Sequence, residues 1–206
     1  MSPEHSQRPR VRTLRWPLIG LVAALVLSTA LVLLLALEVR QSREAQRWLA
    51  ERASQPYQGM YVPRVPVTAL DGSRHELGQP RGEYQVLYFF TTTCPHCRAS
   101  VPLIKSIADQ LDDASGGQAR MLGIAHDTPE AAAAYAREHE LPFPIVASQD
   151  RRTAMLFRAR KVPLVMVVGR DGRVRYSRIG VLNSKEGVTG VLTAVRGTEL
   201  PAATTQ

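Results

Sequence analysis

Hydrophobic residues form one long uninterrupted run near the start of the chain and a series of short runs after it. Residues 17–37 carry no charged side chain and are rich in Leu, Val and Ala. At about 1.5 Å per residue, a helix of this length crosses the roughly 30 Å hydrocarbon core of a bilayer. The pattern therefore predicts a transmembrane helix over residues 17–37.

The charges on either side of this run favour one orientation in the membrane. Residues 1–16 form a basic tail with four arginines and one acid, whereas arginines and glutamates alternate after the run. The positive-inside tendency then places the N-terminus in the cytoplasm and the rest of the chain outside it. A cleaved signal peptide is the alternative, but its apolar core is shorter, and the exit Leu35-Ala36-Leu37 lacks a small-x-small cleavage pattern.

The chain between residues 38 and 60 reads as a stalk and a linker. Up to Ser54 it is rich in Arg, Glu, Ala and Gln without Gly or Pro, which predicts that the helix continues. Pro56 and Gly59 then end it. Residues 61–197 are enough for one folded domain, and residues 198–206 form a tail.

Beyond the linker, short apolar runs alternate with amphipathic segments, which predicts an α/β domain with a mixed sheet flanked by helices. The predicted strands cover residues 65–70, 85–90, 121–125, 144–147, 164–168 and 174–179. The predicted helices cover residues 95–113, 129–140, 150–160 and 184–196.

Composition and charge exclude two classes of protein. With 45% hydrophobic and 21% charged residues the chain is not disordered as a whole. The net charge is +8, but half of this excess lies within the first 52 residues, beside the predicted span. Arginines at that place orient the helix and attract lipid headgroups, so the lipid bilayer is a predicted partner and nucleic acid is not.

The two cysteines of the chain, Cys94 and Cys97, stand at the start of a predicted helix. A thiol–disulfide exchanger needs one exposed thiolate that attacks and a second thiol that resolves the mixed disulfide. Unpaired backbone N–H groups and the helix dipole stabilise a thiolate at Cys94, and Cys97 lies one turn further in. We predict that Cys94 is the nucleophile, that Cys97 is the resolving thiol and that the two form a redox-active disulfide.

The two residues between the cysteines, Pro95 and His96, suit this chemistry. Proline is favoured in the first helical turn, and a protonated His96 adds positive charge beside the Cys94 thiolate. Stabilising the thiolate stabilises the reduced state and makes the disulfide more oxidising. The alternative for His96 is a solvated residue without a role.

Other uses of a C-x-x-C pair are less favoured. A structural zinc site usually has four Cys or His ligands, but only two cysteines exist and the other histidines are scattered. A structural disulfide across so short a loop adds little stability. The prediction therefore includes no metal and no cofactor.

The chain resembles the thioredoxin fold and, more narrowly, the membrane-anchored TlpA/ResA/CcmG-like thiol–disulfide oxidoreductases. The resemblance covers about residues 65–195 and rests on the strand that enters the cysteine motif, on Pro102, on Val162-Pro163 and on the Asp171-Gly172 turn. It implies a cis Pro163 that, with Val162, contacts the substrate; the alternative is a trans proline of an edge strand. Residues 126–147 are similar to the strand–helix unit inserted in this group.

Three positions depart from the family pattern. Thr93 stands where the family often has Trp, and Tyr88 and Ser100 stand where relatives carry a buried acid near the thiols. Removal of the Cys97 proton during resolution would then need water, Tyr88 or His96. We treat Pro95, His96, Tyr88 and Thr93 as modulating residues.

Within the group, the anchor and several short motifs are similar to the methylamine-utilisation protein MauD family, whereas the Pro-His dipeptide and Val162 resemble the oxidant DsbA. The resemblance implies exchange of disulfides with exported proteins in the periplasm, of the kind used in maturation of cytochrome c or methylamine dehydrogenase. It also implies a membrane electron donor or acceptor as partner. The oxidising or reducing direction stays open.

Two other functions compete with this one. Two thiolates and a nearby His are soft ligands for Cu(I), which would make the chain a copper-handling protein. Thr91-x-x-Cys94 matches part of the peroxiredoxin pattern, although Leu87 stands where that pattern has Pro. Arg158, Arg160 and Lys161 before Val162 indicate either a basic rim that recognises acidic partners or a solvated helix face.

Overall fold

The computed structural model describes residues 15–80 and 82–197, which fall into two compact units that divide between Glu51 and Arg52. The predicted C-terminal tail and all but the last two residues of the predicted basic tail lie outside the described residues. The helix α1, Arg15–Ser54, accounts for the described part of the first unit and ends where the sequence predicts.

Helix α1 contains a segment that is long and apolar enough to cross a membrane. The segment Ile19–Arg40 has 22 residues and a mean hydropathy of 2.7, and none of it is buried. The hydroxyls of Ser28 and Thr29 donate to the Leu25 carbonyl within the helix, at 2.9 and 3.0 Å. These polar groups are thus satisfied internally, as a lipid environment requires. By length and composition α1 is a candidate transmembrane span.

The second unit alternates strands and helices along its described residues. Its strands are β1 (Val65–Thr68), β2 (Arg74–Leu77), β3 (Tyr84–Phe90), β4 (Ala119–Ala125), β5 (Ile145–Ala147), β6 (Leu164–Gly169) and β7 (Val174–Ile179). Its helices are α2 (Pro95–Ser115), α3 (Pro129–Glu138), α4 (Arg151–Leu156) and α5 (Lys185–Val195).

The main sheet has five strands in the order β5-β4-β3-β6-β7, and β1 and β2 form a separate antiparallel hairpin. The central strand β3 pairs in parallel with β4 and antiparallel with β6. Because β5 is parallel to β4 and β7 is antiparallel to β6, the sheet is mixed, as predicted. The ends of β3 and β4 and the start of β6 consequently meet at one edge.

Side chains of β3 alternate between two hydrophobic clusters, one on each face of the sheet. Tyr88 and Phe90 join the cluster that α2, α3 and α5 cover. Leu87 and Phe89 point into the other cluster, which Phe157 and the chain before β3 complete. All of these side chains are fully buried, and each large apolar one contributes about 1.5–3 kcal/mol by burial. β3 is therefore held from both sides, and the loop that follows it starts from a rigid support.

The largest differences between the structure and the predicted elements are at β2 and α4, whereas other bounds differ by about two residues or fewer. β2 was not predicted, because it reads Arg-His-Glu-Leu and only Leu77 is buried, so it lacks an apolar alternation. α4 ends at Leu156 instead of residue 160, because Arg158 adopts a left-handed backbone with φ of 52°. Asp150 caps the start of this helix, since its carboxylate accepts a hydrogen bond from the Arg152 N–H at 2.7 Å.

Candidate active site

Cys94 is the N-cap residue of α2, four residues after the end of β3. Its backbone is extended, with φ −78° and ψ 117°, and its carbonyl accepts hydrogen bonds from the N–H groups of Cys97 and Arg98 at 3.1 and 3.2 Å. Its side chain makes no capping hydrogen bond to the helix backbone. The sulfur therefore lies at the positive end of the helix dipole, without a capping hydrogen bond to the first turn of the helix.

The two cysteines differ in exposure in the way that the exchange reaction requires. Cys94 is half-buried, whereas the Cys97 side chain is fully buried under the first turn of α2. Both are free thiols in this structure, which corresponds to the reduced form of the pair. A reagent from solvent thus reaches Cys94 before it reaches Cys97.

The Cys97 thiol lies among groups of low polarity. The pKa of the Cys97 thiol is raised to about 12, chiefly by burial and also by the hydrogen bond and the charge of the Cys94 side chain. The backbone of Thr91 and the hydroxyl of Tyr88 act in the opposite direction. Cys97 is therefore protonated at neutral pH, and it needs to lose this proton before it attacks a disulfide.

Tyr88 joins the middle of β3 to the start of α2. Its side chain is fully buried, and its hydroxyl donates a hydrogen bond to the Cys97 carbonyl at 3.2 Å. Burial raises the pKa of Tyr88 well above its ordinary value, so the phenol stays neutral. Tyr88 is consequently a hydrogen-bond donor at this site and not a base.

A second buried tyrosine, Tyr135, interacts electrostatically with the two thiols. Tyr135 of α3 packs its ring against Phe90 at 5.3 Å between centroids. Its hydroxyl is buried without a hydrogen-bond partner among the described residues. Burial raises the pKa of Tyr135 to about 12, and the charge of a Cys97 thiolate acts in the same direction. The thiol pair is therefore flanked by two neutral phenols.

The other predicted residues of the motif lie on the surface. Thr93, Pro95 and His96 are exposed, and Pro95 is in the first turn of α2, as predicted. His96 is exposed while Cys97 is buried, so its ring is on the solvent side of the pair. Its carbonyl accepts a hydrogen bond from the Ser100 hydroxyl at 2.8 Å.

Ser100 ties α2 to the loop before α5. Its side chain is fully buried, and its hydroxyl oxygen accepts a hydrogen bond from the Leu182 N–H at 2.9 Å. Since it also donates to the His96 carbonyl, both of its hydrogen-bonding functions are used. Ser100 is therefore a structural link between α2 and this loop, at a position where relatives carry an acid.

The Val162–Pro163 peptide bond is cis, as the family resemblance implies. Pro163 directly precedes β6, whose first residue Leu164 pairs with Phe89 of β3. This register places Pro163 at the end of β3, where the loop to Cys94 departs. Val162 and Cys94 both pack against the same hydrophobic cluster. The tertiary structure thus brings together the two segments that the sequence analysis singled out.

Sequence reasoning missed two residues at the end of β4. The Asp127 carboxylate accepts a hydrogen bond from the Thr92 N–H at 2.6 Å, within the loop that leads to Cys94. The ring of His126 stacks on Phe89 at 5.8 Å between centroids, and its buried Nε2 has no hydrogen-bond partner in the described chain. The signal was available, because polar residues that follow a strand parallel to β3 reach the same edge of the sheet.

Metal-ligating side chains do not gather around the cysteines. Residues 15–80 and 82–197 contain no group of three or more His, Cys, Asp or Glu side chains with the geometry of a metal site. The copper alternative consequently rests on the two sulfurs alone.

The sheet order, the cysteine pair at the start of α2 and the cis proline beside it define a thioredoxin-like α/β protein, which confirms the predicted fold class. The chain belongs to the AhpC/TSA family, whose profile matches residues 59–177, more than half of its length.

Three further comparisons show which proteins the chain is similar to. The chain is similar to the thiol-disulfide oxidoreductase ResA of Bacillus cereus (strain ZK / E33L), with 25% identity over 134 residues, 65% of this chain and 76% of the relative. It is similar to the thioredoxin-like protein YneN of Bacillus subtilis (strain 168), with 22% identity over 129 residues, 63% of this chain and 75% of the relative. The crystal structure of a secreted Mycobacterium tuberculosis disulfide oxidoreductase homologous to E. coli DsbE superposes with a TM-score of 0.53 at 20% identity, covering 63% of this chain and 95% of that one.

The names of two of these relatives agree with the enzyme class that the cysteine motif predicts, a thiol–disulfide oxidoreductase. The finer resemblance to the MauD family remains a prediction.

Proposed function

We propose that this chain is a membrane-tethered thiol–disulfide oxidoreductase that exchanges disulfides with cysteine pairs of exported proteins. The observation that carries the proposal is the unequal burial of two thiols in one helical turn, with Cys94 half-exposed at the N-cap of α2 and Cys97 fully buried behind it. The relatives named ResA and DsbE-like support the same class.

In the proposed reaction, Cys94 and Cys97 take up a partner's disulfide in two displacements. The Cys94 thiolate attacks one partner sulfur, forms a mixed disulfide and expels the other partner sulfur as a thiolate. Cys97 then loses its proton and attacks the sulfur of Cys94, which expels the second partner sulfur. Two electrons pass from the protein to the partner, and the protein ends as the Cys94–Cys97 disulfide. The reverse sequence oxidises a partner dithiol.

The neighbouring residues have supporting roles in this proposal. Pro163 and Val162 contact the partner backbone beside Cys94. Exposed His96 and Thr93 face the incoming partner, and Pro95 starts the helix whose dipole stabilises the Cys94 thiolate. Tyr88 fixes the position of Cys97 through its hydrogen bond to the Cys97 carbonyl.

The finer role includes a place and a class of partner. An N-terminal anchor with a cytoplasmic tail would place the catalytic domain in the periplasm, where disulfides of exported proteins form and are reduced. Maturation of cytochrome c or of a methylamine dehydrogenase is the role that the family resemblance suggests. A membrane protein of the disulfide-exchange type would then supply or remove the electrons.

The first experiment measures the reduction potential of the full chain in detergent micelles by equilibration with glutathione buffers. A potential near about −120 mV identifies an oxidant, and one near or below about −250 mV identifies a reductase. Cys97→Ala is expected to trap a mixed disulfide at Cys94, and Cys94→Ala to abolish exchange. Retention of exchange in Cys94→Ala contradicts the proposal.

The same preparation separates the competing functions. Stoichiometric retention of Cu(I) by the reduced protein, lost in either cysteine variant, would identify a copper-handling protein. Rapid consumption of hydrogen peroxide without disulfide exchange would identify a peroxidase.

The location has its own test. In spheroplasts of an expression host, a membrane-impermeant maleimide is expected to label Cys94 from outside, with Cys94→Ala as the control. Labelling only after lysis contradicts the proposed orientation.

A further inference from the structure

The edge of the sheet that carries Cys94 also carries cations without acidic partners. We name this region the thiol edge and define it as residues 91–98, 126–130, 148–152 and 158–163, which follow β3, β4 and β5 or precede β6. Arg98, Arg151, Arg152, Arg160 and Lys161 are exposed there. None of these five forms an ion pair within the part of the chain that the structure describes.

Arg158 belongs to the same segment but is engaged elsewhere. Its Nη1 donates a hydrogen bond to the Gln55 carbonyl at 3.4 Å, and its guanidinium lies over the Tyr57 ring at 5.3 Å from the centroid. The basic rim considered from the sequence is therefore reduced to Arg160 and Lys161, joined by Arg98 from α2 and by the two arginines at the start of α4.

The thiol edge also contains three acids, but its cations outnumber them. The Asp127 carboxylate accepts from the Thr92 N–H at 2.6 Å, and the Asp150 carboxylate accepts from the Arg152 N–H at 2.7 Å. Glu130, in the first turn of α3, is exposed. Together with Arg158, the five exposed cations make six positive charges against these three acids. The surface around Cys94 thus has an excess of positive charge.

At the opposite edge of the same sheet, three cations are paired with acids of the same domain. These ion pairs join Arg170 to Glu83 at 2.9 Å, Arg175 to Asp171 at 2.9 Å and Arg120 to Asp112 at 3.7 Å. The five exposed cations of the thiol edge have no such ion pairs within the described residues, and they lie on the side of the domain where the thiol is exposed.

We propose that the thiol edge is a docking surface for an acidic segment of a partner protein, which brings the cysteine of that partner to Cys94. Opposite charge steers an encounter and fixes its register. An anionic bilayer would satisfy the same charges, but it would cover Cys94, and the proposed exchange requires Cys94 to be open. The inference rests on the proposed function and specifies its class of partner.

The test compares two synthetic peptides with the reduced full chain in uncharged detergent. Each peptide has one cysteine activated as a mixed disulfide with 2-thiopyridine, flanked either by glutamates or by lysines. The Cys94 thiolate attacks the peptide sulfur, and the electron pair of the broken S–S bond leaves on pyridine-2-thiolate. This group takes up a proton to give pyridine-2-thione, which is followed by absorbance. The glutamate peptide is expected to react about tenfold faster, at the lower end of electrostatic steering.

Added salt and charge-reversal variants test whether the preference for the glutamate peptide is electrostatic. Raising the ionic strength from about 0.01 M to 1 M, which shortens the Debye length from about 30 Å to 3 Å, is expected to remove it. The double variant Arg160→Glu, Lys161→Glu is expected to reverse it. The matched control Arg74→Glu, Arg120→Glu makes the same change in net charge at exposed positions away from the thiol edge and is expected to keep it.

Equal rates for the two peptides would overturn the inference, and so would equal effects of the two double variants. A third outcome against it is that the preference is lost in vesicles that contain phosphatidylglycerol but is kept in vesicles of pure phosphatidylcholine. The last outcome would assign the surface to lipid. Neutral dithiodipyridine reports separately on the thiol itself. If Cys94 fails to react with it, the proposed function fails, whereas unchanged rates in the variants show that they are folded and active.

Discussion

The Tyr88 hydroxyl donates a hydrogen bond to the carbonyl of Cys97 at 3.2 Å, deep beneath the first turn of α2. The same hydroxyl acts to lower the pKa of the Cys97 thiol, which burial raises. A neutral phenol can stabilise the thiolate but does not accept its proton, which leaves water and His96 among the acceptors considered from the sequence. This arrangement leads to the first prediction.

Tyr88→Phe is expected to slow the resolving step about tenfold at neutral pH, the effect of a rise of one unit in the pKa of Cys97. With an aromatic disulfide such as Ellman's reagent, the reduced protein releases a first equivalent of dye through Cys94 and a second through Cys97. Only the second phase should slow, and its pH profile should move to higher pH.

Tyr135→Phe is the matched control for this variant. It removes a second buried hydroxyl from the same cluster, but one without a hydrogen-bond partner in the described chain. Its second phase should stay within about twofold of the unmodified protein, since no hydrogen bond is lost. Equal slowing in both variants would show that packing, and not the hydrogen bond of Tyr88, sets the rate.

The two thiols should differ strongly in alkylation. Iodoacetamide is expected to modify Cys94 and to leave Cys97 untouched in the native reduced protein, because Cys97 is fully buried and burial raises its pKa to about 12. Peptide mapping after a timed pulse measures the ratio. In denaturant the two should react alike, and native labelling of Cys97 ahead of Cys94 would reverse their assigned roles.

Asp127 is expected to position the loop before Cys94. Asp127→Ala leaves the Thr92 N–H without its 2.6 Å acceptor and should cost about 1–3 kcal/mol of stability and lower the rate of Cys94 with dithiodipyridine. Asp150→Ala is the matched control, because it also removes a carboxylate from a backbone N–H, that of Arg152. It should destabilise the protein without changing the rate of Cys94; a fall of that rate in both variants contradicts the positioning role.

His126 should make the domain sensitive to acid. Burial lowers the pKa of His126 below its ordinary 6.5, although the Asp127 carboxylate and nearby backbone groups oppose the shift. The unfolded chain then binds the proton first, so stability is full above about pH 6.5 and falls as the pH decreases through the folded value.

His126→Phe, which keeps a ring against Phe89, is expected to reduce this loss of stability between about pH 6.5 and pH 5 in urea unfolding experiments. His96→Gln changes an exposed histidine and serves as the control. If the acid-induced loss is the same in His126→Phe as in the unmodified chain, the burial of His126 is not its cause.

Local sequence patterns determined the helix α1, the strands around the motif and the position of the cysteine pair. A run of uncharged residues, a continuous apolar strand at residues 85–90 and a proline after Cys94 each indicate a structure through neighbours close in the chain. The mixed α/β order followed from the same patterns, because periodicity and turn residues act over a few positions.

The tertiary structure decided what surrounds the thiols. Asp127 reaches the loop of Cys94 because β4 lies parallel to β3, and this pairing of two distant strands is set by the tertiary structure. Burial separates His96 from Cys97 although they are adjacent in sequence. The polar strand β2 forms only because the hairpin with β1 pairs its backbone. Contacts between distant segments depend on how strands pair and helices pack, and these long-range choices set the environment in which Cys94 and Cys97 differ.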